Sequence, residues 1–206
     1  MHGPHRLGSR FAGLVRAVAT ATLAAALAAA PALAHVTPNV ELLKRGEFVK
    51  QSLPAATEFF EQKLAFGGAD AAAIKSRTGW TPSEEDVKVY LGRDAGKRLV
   101  GSALFLWVPS EHGPVGVAVA FDPAGKILRA AVTDVGSEPL AWVRPLVQAD
   151  GMTAFAGLSL DAAPDPAKVA PAVTGSMSRY YAEVVAEGVK RAQAVERVSL
   201  AAAAPK

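Results

Sequence analysis

Three runs of sequence decide the fold: Leu99-Val-Gly-Ser-Ala-Leu-Phe-Leu-Trp-Val108, Val115-Gly-Val-Ala-Val-Ala-Phe121, and Lys126-Ile-Leu-Arg-Ala-Ala-Val-Thr-Asp-Val135. Each is short, apolar and rich in Val, Ile or aromatic residues, which marks a strand rather than a helix. The first stops at Pro109. The last two are separated only by Asp122-Pro123-Ala124-Gly125, a strong turn sequence, so they form a hairpin. Their partial alternation fits a sheet with one face packed on helices. Three neighbouring strands with no helix between them argue against a doubly wound sheet.

Helical signals flank this block. Over residues 45–64, Phe48, Leu53, Ala56, Phe59, Phe60 and Leu64 recur at near-helical spacing, with Pro54 dividing the run and Gly67-Gly68 stopping it. Thr81-Pro82-Ser83-Glu84-Glu85 reads as a helix start: an N-cap, proline at the first helical position, then acids in the first turn. That helix carries Val87, Tyr90 and Leu91 and ends near Gly92. Residues 138–148 predict a short helix interrupted by Pro145. Residues 162–171 hold Pro164, Pro166 and Pro171 and predict an exposed connection. The clearest helix spans about 176–197, where Met177, Tyr181, Val184, Val185, Gly188, Val189 and Ala192 form one apolar stripe. The expected class is therefore α+β: a small antiparallel sheet packed with N-terminal helices and a closing C-terminal helix.

Charge separates the chain into two parts. Its 206 residues carry 22 Lys and Arg against 19 Asp and Glu, a formal +3. Residues 1–34 hold Arg6, Arg10 and Arg16 and no acid, then the apolar run 17–30, then Ala32-x-Ala34. A basic start, an apolar middle and a small-residue cleavage site read as a secretory signal peptide. The apolar run is shorter than the roughly 20 residues of a spanning helix, although a retained anchor is the other reading. Taking three of the 22 basic residues away leaves 19 against 19 acids over 35–206, a neutral exported chain whose single domain spans 35–200 with a fraying tail at 201–206. Neutrality gives no electrostatic case for nucleic acid. The absence of cysteine excludes disulfides, thiolate metal sites, iron–sulfur clusters and cysteine nucleophiles. No G-x-S-x-G elbow or comparable nucleophile motif is present.

The main chemical candidate is Thr174-Gly175-Ser176-Met177-Ser178, a small polar loop opening the last helix. The free N–H groups and dipole of a helix start suit a phosphate; capping of the helix by Thr174, Ser176 or Ser178 is the simpler alternative. It is not a Walker loop, for it lacks the lysine and the glycine spacing.

Together with Phe66-Gly67-Gly68-Ala69-Asp70, the Asp122-to-Ile127 hairpin, Ser137-Glu138-Pro139 and Phe155-Ala156-Gly157, this loop resembles the FMN-binding domains of exported electron-transfer subunits. Those domains occur in sodium-pumping NADH:quinone oxidoreductase and related complexes. The resemblance covers about residues 55–198 and keeps the family's order. It implies a flavin carrier, working with a membrane-bound redox partner rather than as a stand-alone enzyme. Thr174, Gly175, Ser176 and Ser178 would hold the FMN phosphate. Glu138 or Ser137 would hydrogen-bond the flavin, and Trp142 or Tyr180 would pack on its ring. Two departures bear on attachment. Met177 stands where the family has the hydroxyl residue that carries FMN by a phosphoester, and Pro171 stands where an acid is usual. A thioether forms no phosphoester, so the resemblance implies non-covalent FMN, or a flavin-free binding or structural module of the same fold.

A third reading concerns His35, which cleavage after Ala34 would make the N-terminus. Its amine and imidazole form a copper chelate, with His112 as the only other histidine after the leader.

Overall fold

The computed structural model describes residues 38–83, 87–169, 173 and 175–203. The expected leader at 1–34, His35, Glu84, Glu85, Pro171, Thr174 and the last residues of the tail lie outside them. In chain order come β1 (Asn39–Glu41), α1 (Arg45–Ser52), β2 (Glu58–Gln62), α2 (Gly68–Thr78), β3 (Val87–Arg93), β4 (Leu99–Val108), β5 (Val115–Phe121) and β6 (Ile127–Gly136). Then follow α3 (Leu140–Gln148), a 3-10 turn (Gly151–Phe155), α4 (Pro166–Val169) and α5 (Ser176–Ala203). Six strands make one antiparallel sheet in the order β1-β6-β5-β4-β3-β2. The class is α+β, with a C-terminal helix as expected.

The decisive runs form β4, β5 and β6. Every residue of β5 is buried, because the strand lies mid-sheet with a layer on each face. Val115, Val117, Val119 and Phe121 join the larger core under α5, while Ala118 and Ala120 face a smaller core around Phe48 and Phe105. Phe48 and Phe105 meet edge to face at 5.6 Å. Asp122 builds the β5–β6 turn. Its carboxylate accepts from the Ala124 and Lys126 N–H groups at 2.9 and 2.8 Å, and Gly125 takes the left-handed conformation at φ 80°.

Two predicted helices are corrected. The segment 45–64 is helical only to Ser52. Leu53 and Pro54 end the helix, and Glu58-Phe59-Phe60-Glu61-Gln62 becomes the edge strand β2 against β3. Residues 87–93 are strand β3, not the body of a helix. Val87 and Val89 are buried and Lys88 is exposed, a period of two that pairs with β4 over the whole run. Gly67-Gly68 begins a helix instead of stopping one, since α2 starts at Gly68; Ile74 is its buried anchor.

The closing helix α5 is seated by Gly188. A Cβ there would stand 2.8 Å from Val117 Cγ2 and 2.9 Å from Val108 Cγ2, so the missing side chain lets the helix approach β4 and β5. Among the described residues no helix is long and apolar enough to cross a membrane.

Candidate functional site

Three segments meet at one end of the sheet: the β4–β5 loop, the turn from β6 into α3, and the first turns of α5. The loop contributes Ser110, Glu111 and His112. The turn contributes Glu138, and α3 adds Trp142. The helix contributes Tyr180 and Tyr181.

Their contacts form a chain. His112 Nδ1 lies 2.8 Å from Glu138 Oε1. The carboxylate accepts, so Nδ1 carries the proton and Nε2 has no hydrogen bond among the described residues. The His112 ring is 5.0 Å from Trp142, and Trp142 stacks on Tyr181 at 5.9 Å with 14° between planes. Tyr180 meets Tyr181 edge to face at 5.1 Å. Tyr181 Oη lies 3.1 Å from Ser110 Oγ, and Tyr180 Oη accepts the Glu111 N–H at 3.2 Å. Burial pushes the Tyr181 phenol up; the Ser110 hydrogen bond acts the other way.

Of the residues expected at the site, Gly175 and Ser176 are exposed at the start of α5, and Ser178 is buried. The Gly175 carbonyl accepts from the Arg179 N–H at 3.1 Å, which closes the first turn. Ser178 Oγ is 3.8 Å from where a Cβ on Gly175 would lie, an ordinary van der Waals distance. Glu138 is exposed and is linked to this helix through His112, Trp142 and Tyr181. Among the described residues no hydrogen bond joins it to Ser176 or Ser178.

Trp142 stacks on Tyr181 and lies against His112, so its ring takes part in the packing between α3 and α5. Met177 is half-buried and packed against the main core rather than standing free beside the serines. His112, considered from sequence only for copper, is the residue that ties Glu138 down. Among the described residues no group of three or more His, Cys, Asp or Glu is placed to hold a metal ion.

Phosphate and carboxylate chemistry fit this end in different ways. The exposed start of α5 offers N–H groups and the Ser176 hydroxyl to an anion. Glu138 and the imidazole Nε2 offer polar groups where the β4–β5 loop meets the turn before α3, and the Tyr180 ring is half-buried against Tyr181. Compared with models of protein families and with curated proteins, the chain matches none.

Proposed function

We propose that the protein is an FMN-binding electron-transfer module that holds its flavin non-covalently where α5 begins. One observation carries the reading. The start of α5 and Glu138, far apart in sequence, are joined through a single aromatic cluster made by His112, Trp142 and Tyr181. Gly175, Ser176 and Ser178, with Thr174 beside them in sequence, supply the phosphate end. Glu138, its carboxylate fixed by His112, supplies the polar group near the ring, and Tyr180 supplies an aromatic wall. The flavin carries the electrons when bound; the protein's part is binding, orientation and electrostatic tuning. An exported location with a membrane-bound redox partner belongs to the same proposal. The test is gel filtration of the purified chain after incubation with FMN, with flavin absorbance followed in the protein peak.

A second reading, a flavin-free binding or structural module of this fold, is favoured by Met177. Its side chain packs against the core at the place where the resembling family presents a hydroxyl. Absence of flavin from the protein peak would select it.

A further inference from the structure

Besides the outer sides of β1 and β2, the sheet has an unpaired stretch of edge along β6, beyond the end of the short strand β1. β1 ends at Glu41, opposite Asp134, and the N–H groups of Leu42 and Leu43 then donate to the Thr133 carbonyl at 2.7 and 3.1 Å. The chain turns away there into α1. At the far end of β6, Ile127 donates its N–H to the Leu158 carbonyl at 2.9 Å and accepts from the Gly157 N–H at 2.8 Å. Between these two closures no strand pairs with the outer edge of β6, and the 3-10 turn Gly151–Phe155 packs against that strand.

The register tells which backbone groups are open. Ile127 stands opposite Phe121 and Val135 opposite Val115. Both turn their N–H and C=O away from β5, Ile127 toward the Leu158 turn and Val135 toward β1. Ala130 and Val132 stand opposite Val119 and Val117, which belong to the same alternate set of β5 residues. The register shifts fall on β6, where Leu128 and Thr133 are the extra residues, and β5 itself is regular. Ala130 and Val132 therefore also point their N–H and C=O outward. Among the described residues neither has a hydrogen-bond partner on that side. Both residues are buried, at 4% and 2% exposure. Buried, unpaired backbone groups are costly and call for a partner.

These groups open on a cavity of about 300 Å³, at the small end of the range for ligand pockets. Leu42, Leu43, Val147 and Met152 give it apolar walls, and Asp150 and Thr153 stand among the polar lining residues. Of its two charged lining residues, Arg129 is engaged, hydrogen-bonded to Gln51 and lying over the Phe48 ring. Asp150 is not: its carboxylate takes part in no hydrogen bond or ion pair among the described residues. Its backbone is held in the left-handed region at φ 52°, uncommon for a residue with a side chain.

We propose that this gap binds an extended peptide segment of another protein as an added strand beside Ala130 and Val132, with small apolar side chains toward the cavity and a basic side chain meeting Asp150. Alternating N–H and C=O groups at strand spacing are what the open edge can recognise, and strand addition uses main-chain bonds for affinity and pockets for specificity. The unpaired carboxylate sets the charge of the occupant. β1 begins at its other end, where the Pro38 carbonyl accepts from the Ser137 N–H.

The test is amide NMR of the full chain titrated with a capped Lys-Val-Ala-Val-Thr peptide, its Glu-for-Lys counterpart, and a form N-methylated at alternate residues. The Lys peptide is expected to give saturable shifts and slowed exchange at the Ala130 and Val132 amides. It should bind roughly twofold to fivefold tighter than the Glu peptide, a difference that Asp150→Asn removes. Ala156→Trp, at an exposed lining position, should block all binding while leaving the fold intact. No shift at Ala130 and Val132 would overturn the proposal. So would equal binding of the N-methylated peptide, which would show apolar filling without strand pairing.

Discussion

His112 holds Glu138 through Nδ1 at 2.8 Å, although 26 positions separate them in the chain. The bond ties the β4–β5 loop to the turn before α3. It also fixes the histidine tautomer, because an ionised carboxylate can only accept. Nitrogen-detected NMR of neutral His112 should find the proton on Nδ1. Glu138→Ala should release it and allow the Nε2–H form to appear. A wild-type ring protonated on Nε2 when neutral would contradict this geometry.

Glu196 supplies a stability prediction. It is 3% exposed on α5 and accepts a hydrogen bond from Ser102 Oγ at 2.8 Å. Burial raises its carboxyl above the ordinary glutamate range, with the Ser102 bond opposing. The folded state thus keeps a proton that the unfolded chain releases. Its contribution is complete below the unfolded pKa and is lost as pH rises through the higher folded value. Glu196→Gln keeps an acceptor for Ser102 and removes the titration. The variant should gain about 1 kcal/mol, or about 2–4 °C in melting temperature, at mildly alkaline pH relative to the wild type. The gap should close in acid. Parallel pH profiles for the two proteins would contradict the assignment.

Gly188 is predicted to be intolerant of enlargement. Alanine there gains helix propensity of about 1 kcal/mol, yet its methyl must displace Val117 and Val108. Overpacking of this kind costs about 1–3 kcal/mol, so Gly188→Ala should be neutral to destabilising and Gly188→Leu severely destabilising. Denaturant unfolding measures both. A stabilised Gly188→Leu would show that α5 does not rest on the sheet at this point.

The central strands were legible because Leu99–Val108 and Val115–Phe121 are uniform in character and closed by clear breakers. The misread elements satisfy two periods at once. Val87, Tyr90 and Leu91 fit one helical face, while Val87, Val89 and Leu91 fit one strand face, and the capping pattern at Thr81 tipped the balance toward helix. Tertiary pairing with β4 overrides it. Phe59 and Phe60 likewise continue a helical stripe in sequence but sit on the sheet edge. At the site, the start of α5 was legible from its small polar loop. The His112–Glu138 bond was not, since no local pattern links a loop histidine to an acid on another turn. The buried Glu196 was equally hidden, because its partner Ser102 lies on a distant strand.

The mode of flavin attachment gives another prediction. Met177 has no hydroxyl, and its side chain packs on the core. Co-expression with a flavin transferase should leave the intact mass of the protein without a flavin adduct, and any flavin present should be released by denaturation. An adduct of one FMN, mapped to Ser176 or Ser178, would contradict the non-covalent reading.

The central claim is tested most directly by the visible spectrum of the purified protein, incubated with FMN and passed through gel filtration. The account predicts flavin absorbance co-eluting with the protein, weakened by Ser178→Ala and by Glu138→Ala. A protein peak with no flavin absorbance over repeated preparations would contradict it.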